Sequence, residues 1–132
     1  MTGAAGHSTG SALAEVALPT ASAGPSAAEW AAAVAAIRDL PAGARVQLIC
    51  HVNPDGDALG SMLGFALGLR RLGVGELRAT FPGPPEVPEP FRAMPGLDLL
   101  VPESEAYPES ELVICFRTSQ AACGLTVLAF TR

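Results

Sequence analysis

Apolar residues along the chain fall into two kinds of pattern. Residues 45–50 (RVQLIC), 76–81 (ELRATF) and 112–116 (LVICF) are short runs of strand length, whereas residues 26–40 and 58–72 carry apolar residues at helical spacing. Strands that alternate with helices in this way are typical of α/β domains built on a parallel sheet. We therefore predict an α/β fold in which the wholly apolar run 112–116 is a strand covered on both faces.

The first predicted helix has recognisable signals at both ends. Ser26 followed by Glu29 is a capping-box pattern, and Trp30, Val34 and Ile37 then mark one apolar face. A Pro-Ala-Gly sequence ends the helix. The segment therefore predicts an amphipathic helix.

The second predicted helix carries glycine at every fourth position. Gly60, Gly64 and Gly68 would lie on one side of it. Close packing of the helix onto the sheet is the favoured explanation, because glycine permits a near approach. A phosphate bound at the helix N-terminus is a second explanation, for which only Gly60 and Ser61 are suitably placed. A membrane dimer motif is a third, and the helix length argues against it.

The connecting segments are predicted from their composition. Residues 82–90 contain five prolines and are expected to form a loop, because each proline removes a backbone donor. We expect a helical turn at 91–94, a short edge strand at 98–101 and an acidic surface loop at 103–111. Residues 118–132 contain β-branched residues and a glycine, which disfavour a helix. We expect a strand or an irregular end at residues 125–130.

The domain organisation follows from length and composition. Residues 1–25 are small, rich in Gly, Ser, Thr and Ala, and without a sustained period, which predicts a disordered tail. The remaining residues, 26–132, are enough for one domain.

Potential metal ligands cluster between the first strand and the second helix. His51, Asp55 and Asp57 fall within seven residues, on a loop at the carboxyl end of a strand, where open α/β sheets bind ligands. An imidazole combined with carboxylates suits Mn²⁺, Fe²⁺ or Zn²⁺. A structural turn is the alternative, since Asn-Pro-Asp-Gly is a good turn sequence and Asp57 could be an N-cap. That alternative does not explain the histidine at the strand end.

The same residues resemble a known family. The string HVNPDGDALGS at 51–61, with LRRLG at 69–73, closely resembles the first motif of the DHH phosphoesterases, in particular the subgroup of oligoribonucleases and 3'-phosphoadenosine 5'-phosphate phosphatases. The resemblance implies an α/β domain with a site for two ions, usually Mn²⁺, and a smaller C-terminal domain that holds substrate. It implies that His51, Asp55 and Asp57 are metal ligands and that a phosphoester of a short RNA or a nucleotide is hydrolysed.

The second half of the chain departs from the family pattern. The strand ending at Phe116 should be followed by an aspartate that bridges the two ions, but Arg117 stands there, and no Asp-His-His triplet occurs in the sequence. We therefore expect an incomplete DHH-type phosphoesterase domain without the C-terminal substrate domain, with partial Mn²⁺ occupancy at most and no measurable turnover. Catalytic and substrate-binding residues stay unassigned. The alternatives are a non-catalytic remnant that binds a partner chain and, among enzymes, a cyclic-dinucleotide phosphodiesterase.

Composition bears on the expected partners and on the cellular location. The net charge of −5 argues against an extended nucleic-acid-binding face, and no apolar stretch is long enough for a membrane span. Three cysteines without paired spacing, and no signal peptide, favour reduced thiols and a cytoplasmic location. A thiolate metal ligand at Cys50 or Cys115 is less favoured than a small buried strand residue. The oligomeric state stays open.

Overall fold

A computed structural model describes residues 13–17, 26–119 and 122–130 of the chain. Its order of elements matches the predicted alternation of helices and strands in the central part. The helices and strands are β1 (Leu13–Ala17), α1 (Ala27–Arg38), β2 (Arg45–Ile49), α2 (Gly56–Arg71), β3 (Glu76–Thr80), β4 (Leu112–Ser119) and β5 (Ala122–Phe130). Short 3-10 turns lie at Glu89–Phe91, Leu97–Leu99 and Glu103–Glu105.

The strands form one mixed sheet in the order β1-β5-β4-β2-β3. β2 lies between β3 and β4 and is parallel to both, with Leu48 opposite Ala79 on one side and Ile114 on the other. This three-stranded parallel core confirms the predicted α/β class. β5 pairs antiparallel with β4 and with β1, so the sheet ends in an antiparallel edge that the sequence did not predict.

The apolar core lies between the parallel strands and α2. Alternate residues of each strand point to this face, and from β2 these are Val46 and Leu48, both without solvent exposure. From α2, Leu59, Met62 and Leu63 pack against them, with at most 1% of their surface exposed. The helix therefore fixes the position of the β2–α2 loop relative to the sheet.

The second face of the sheet is crossed by the connection between β3 and β4. Gln47, only 3% exposed, accepts a hydrogen bond from the Tyr107 N–H at 3.0 Å and donates to the Arg78 carbonyl at 3.1 Å. The Arg78 guanidinium lies over the Tyr107 ring and donates to the Glu105 carbonyl. These bonds satisfy the buried amide of Gln47 and hold the connection against the sheet.

Helix α1 confirms the predicted capping box. The Ser26 hydroxyl accepts from the Glu29 N–H at 3.2 Å, and the Glu29 carboxylate accepts from the Ser26 N–H at 2.7 Å. The predicted apolar face is only partly used, since Trp30 is 54% and Val34 41% exposed, while Ile37 packs against the core.

Several boundaries differ from those predicted. α2 begins at Gly56, before the expected residue 58, because Asp55 caps it. The predicted edge strand at 98–101 is wrong, since Leu97–Leu99 is a 3-10 turn and Leu100 alone bridges to Ala79. The expected turn at 91–94 is present, with the Met94 N–H donating to the Phe91 carbonyl, and it directly follows a 3-10 turn at Glu89–Phe91.

The last two described strands, β4 and β5, are long and antiparallel to each other. β4 extends to Ser119, so Arg117 lies within this strand rather than after it, with its backbone opposite Gly124 of β5. The uncertain stretch 125–130 belongs to β5. The segment predicted as a tail, 1–25, includes β1 at Leu13–Ala17, and the rest of it lies outside the described residues.

The glycines of α2 do not have the predicted role. Gly60, Gly64 and Gly68 are exposed, and a Cβ added at any of them would meet no atom within 4 Å. The prediction that they permit close packing onto the sheet is therefore wrong. In the part of the chain that the structure describes, neither helix is long and apolar enough to cross a lipid bilayer.

Candidate functional site

The loop of the predicted metal ligands lies at the carboxyl end of the central strand. Residues 50–55 join β2 to α2, which returns the chain to β3 on one side of β2, whereas β4 lies on the other side. The order of strands thus reverses at β2. Such a reversal leaves a crevice at the carboxyl end of the sheet, where α/β proteins bind ligands.

His51 presents a buried ring nitrogen without a partner. Its Nδ1 lies 2.9 Å from the carbonyl oxygen of Val52, and because a carbonyl only accepts, Nδ1 carries the hydrogen. In an imidazole with its hydrogen on Nδ1, Nε2 carries a lone pair. This atom is buried and makes no hydrogen bond. Metal-binding histidines use the same arrangement, in which the second ring nitrogen donates to a backbone carbonyl.

Asp55 is the N-cap of α2. Its Oδ1 accepts from the Ala58 N–H at 2.8 Å, and its extended backbone (φ −84°, ψ 179°) sets the entry into the helix. The preceding turn places Asn53 at φ 50°, a left-handed conformation that asparagine tolerates better than most residues. The Asp55 side chain is exposed, so its carboxylate remains open to solvent on the side away from the cap.

Asp57 lies in the first turn of α2 and is exposed. The structure gives the capping role to Asp55, so the reading of Asp57 as an N-cap is wrong. A carboxylate at this position is favoured by the partial positive charge of the helix N-terminus. Asp57 therefore lies at a favourable position for a carboxylate but does not cap the helix.

Cys50 is a buried neutral thiol beside this loop. Burial, followed by the negative charge of Asp55, raises the pKa of Cys50 from its ordinary 9.0 to about 11. Its Sγ lies 3.8 Å from the His51 carbonyl oxygen. A thiol this reluctant to ionise matches the interpretation of Cys50 as a small buried strand residue.

Thr80 adds a feature that sequence reasoning missed. Its hydroxyl is buried and makes no hydrogen bond, although the residue is only 4% exposed. Thr80 is the last residue of β3, opposite Ile49, and its carbonyl accepts from the Cys50 N–H at 3.2 Å. Among the described residues, the buried side-chain polar atoms without a partner are this oxygen and His51 Nε2. Both lie at the carboxyl ends of adjacent strands.

The proline-rich loop forms a wall beside the candidate site. A Cβ at Gly83 would lie 3.6 Å from Val52, and one at Gly56 would lie 3.0 Å from the ring of Phe91. Between this loop and the turn after β2 is a pocket of about 140 Å³. Its lining residues are Asn53, Pro54, Phe81, Pro82, Pro84, Glu86 and Pro88.

A larger cleft of about 570 Å³ lies at the opposite end of the sheet. It is formed by the C-terminal ends of both helices and the turns that lead into β2 and β3. Arg38 is the single charged side chain among its lining residues. This cleft is remote from every residue predicted to bind metal, and we do not assign the site to it.

The predicted ligands all lie between the end of β2 and the first turn of α2. Within residues 13–17, 26–119 and 122–130, no group of three or more His, Cys, Asp or Glu side chains is placed to hold a metal ion. Convergence of His51, Asp55 and Asp57 on one ion stays a prediction. The individual atoms suit a cation, however, since the loop offers an unpartnered imidazole nitrogen and two exposed carboxylates.

The strand of Arg117 runs directly beside β2. Cys115 is the last residue of β4 paired with β2, opposite Ile49, and Arg117 follows two positions later. The strand that leads to Arg117 is therefore adjacent to the strand that leads to His51. A scan of the chain against models of known protein families finds no match.

Proposed function

We propose that His51, Asp55 and Asp57 bind a divalent cation, Mn²⁺, as the first half of a phosphoesterase site of the DHH type. One observation carries the proposal, namely the buried Nε2 of His51, which has no partner while Nδ1 is held by the Val52 carbonyl. Leaving a buried acceptor unsatisfied costs about 1–3 kcal/mol. A cation on Nε2 would remove that cost.

The rest of the ligand set follows from the loop. Asp55 uses Oδ1 for the cap, and a carboxylate has further lone pairs on its second oxygen. Asp57, one turn position later, is exposed, and its carboxylate reaches a cation by rotation about its side-chain bonds. Two carboxylates and one imidazole suit Mn²⁺ better than Ca²⁺ or Mg²⁺, which prefer oxygen alone.

The reaction class comes from the family resemblance of residues 51–61. A bound cation would orient the phosphate of a short oligoribonucleotide or of 3'-phosphoadenosine 5'-phosphate and acidify a water molecule. The protein's own contribution is to hold the His51 ring in one orientation through Val52 and to present Asp55 from a capped helix end. Cyclic dinucleotides are a further substrate class of the same chemistry.

Arg117 favours a second candidate, a site that binds metal without turnover. An aspartate at this place would bring negative charge between two cations, whereas a guanidinium stays positively charged at neutral pH. A second cation loses a ligand and gains a repulsion. We therefore expect one bound Mn²⁺ and no measurable hydrolysis by the 132-residue chain.

Titration calorimetry of the purified chain with MnCl₂ tests the proposal. We expect one site per chain, and His51→Ala should weaken binding by roughly 100-fold or more, since even groups that only support metal ligands account for about 10- to 100-fold. Asp57→Asn should also weaken binding. Asp39→Asn, which removes an exposed carboxylate at the end of α1, is the matched control and should change nothing.

Equal Mn²⁺ affinity of the His51→Ala and Asp39→Asn variants would refute the proposal. A separate assay with a dinucleotide and with 3'-phosphoadenosine 5'-phosphate decides between the two candidates. Turnover that disappears in Asp57→Ala would show that the chain is an active enzyme in spite of Arg117.

A further inference from the structure

The ring of Phe91 rests directly on the first residue of α2. A Cβ built at Gly56 would lie 3.0 Å from Phe91 Cε1 and 3.3 Å from Cζ. The three later glycines of the same helix have nothing within 4 Å of the equivalent position. Gly56 is thus the glycine of α2 that a neighbouring side chain requires, and it lies between Asp55 and Asp57.

Phe91 is itself held by a rigid turn. Its N–H donates to the Pro88 carbonyl at 2.9 Å, and its carbonyl accepts from the Met94 N–H at 3.1 Å. The Arg92 guanidinium adds a bond to the Val87 carbonyl at 3.1 Å. The proline at position 90 restricts the backbone of this turn, and the ring packs against the hydrophobic core. These bonds and contacts hold the Phe91 ring in place against Gly56.

The position of the Phe91 ring matters for the candidate site. Gly56 separates the cap residue from Asp57, so the ring contacts the helix at the point from which both carboxylates project. A displacement of the first turn would move both carboxylates relative to His51, which is anchored to the sheet through the end of β2. Binding sites depend on such distances within about 0.5 Å.

We propose that Phe91 is a positioning residue, whose ring on Gly56 holds the first turn of α2 and thereby sets the Asp55 and Asp57 carboxylates relative to His51. The metal-binding part rests on the proposed function. The contact itself, and its effect on the helix end, do not. Phe91 lies 40 residues away from His51 in the sequence, and nothing in the motif at 51–61 points to it.

A double-mutant cycle tests the proposal. Gly56→Ala pushes a methyl group into the ring, and Phe91→Leu removes the ring, so each variant should weaken Mn²⁺ binding, by about tenfold if the effect resembles other supporting groups. The combination of Gly56→Ala with Phe91→Leu places a methyl group where the ring stood and should recover most of the affinity. Gly64→Ala, on the exposed side of the same helix, is the matched control and should leave affinity unchanged.

Hydrogen exchange of the Ala58 amide provides a readout that needs no metal. This N–H donates to Asp55 Oδ1, so exchange should accelerate in both single variants and slow again in the double variant. If the unmodified chain binds no Mn²⁺ but this exchange pattern appears, the proposed function fails and the positioning role stands. A lowered melting temperature with unchanged Mn²⁺ affinity and unchanged Ala58 exchange would overturn the positioning role. Additive losses in the double variant would overturn it as well.

Discussion

The two ends of the parallel sheet differ in both shape and chemistry. The amino end carries a cleft of about 570 Å³, whereas the pocket at the carboxyl end measures about 140 Å³. The larger cleft is lined by aliphatic side chains, glycines and one arginine. Among the described residues, the two buried side-chain polar atoms without partners, His51 Nε2 and Thr80 Oγ1, also lie at this carboxyl end.

The larger cleft and the groups that suit a cation therefore lie at opposite ends of the sheet. In a parallel sheet, the loops after the strands lead into helix N-termini with free N–H groups and capping side chains. The loops before the strands follow helix C-terminal ends, which here are surrounded by Leu72, Val74 and Leu40. Polar groups therefore collect at the carboxyl end because of chain direction, and we expect the largest functional effects there.

The largest expected difference in stability is between substitutions at the two ends of α2. Leu59, in the first turns of the helix, has no exposed surface, whereas Leu72 at its C-cap is 75% exposed. Leu59→Ala should lower the free energy of unfolding by about 2–5 kcal/mol, and Leu72→Ala by less than about 0.5 kcal/mol. Urea denaturation measures both. A large loss in Leu72→Ala would show that the amino end is covered by other material in solution.

The free energy of unfolding at alkaline pH should depend on Cys50, which lies at the carboxyl end of the sheet. Its pKa in the folded protein is raised from 9.0 to about 11, so the unfolded chain releases this proton first. The contribution of Cys50 to the free energy of unfolding is fully present below pH 9 and declines as the pH rises towards about 11. In Cys50→Ala the decline over this range should be shallower, as measured by denaturation at fixed pH values. Identical slopes for the two proteins would contradict the buried neutral thiol.

Two substitutions at Asp55 separate its cap from its charge. Asp55→Ala removes the acceptor of the Ala58 N–H and should lower stability by about 0.5–2 kcal/mol. Asp55→Asn keeps an N-cap acceptor and should stay within about 0.5 kcal/mol, while Mn²⁺ affinity falls because the charge is lost. Thermal denaturation and metal titration report the two effects. Equal Mn²⁺ affinity in Asp55→Asn and the unmodified chain would leave Asp55 with its capping role alone.

The smallest expected effects on stability come from two glycines. Gly64 lies on the exposed side of α2, and Gly96 packs against Leu63 on its other side. Gly64 is exposed with open space at its Cβ position, so Gly64→Ala should raise stability by up to about 1 kcal/mol through helix propensity. Gly96 has φ +89° and lies 3.5 Å from Leu63 at its Cβ position, so Gly96→Ala should lower stability. Denaturant titration of the pair gives the signs. A loss in Gly64→Ala would mean that the exposed side of α2 is occupied in solution.

Local features were predicted well from the sequence. The capping box of Ser26 and Glu29, the starts of β2 and β3, and the loop position of His51 and Asp55 all follow from patterns within a few residues. One error was also local in origin. The pattern Asn-Pro-Asp-Gly-Asp contains two possible caps, and only the hydrogen bond of Ala58 shows that Asp55 is used.

Features that depend on contacts across the sheet were not predictable in the same way. Glycines spaced by four must share a side of a helix, but which side faces the sheet depends on the stronger apolar stripe of Leu59, Met62 and Leu63. The pairing of Thr80 with Ile49 and the contact of Phe91 with Gly56 join segments more than 30 residues apart. Neither has a signal in the local sequence.

The sequence alone determined the α/β alternation, the capping box of α1 and the place of His51 and Asp55 between β2 and α2, because hydrophobic period and capping act over single turns of chain. Tertiary structure decided that β4 lies beside β2, that the sheet continues into antiparallel β5, and that Phe91 meets Gly56. These outcomes depend on which strands pair and which faces are buried. Such choices are made by the packing of the whole core, and no short stretch of sequence encodes them.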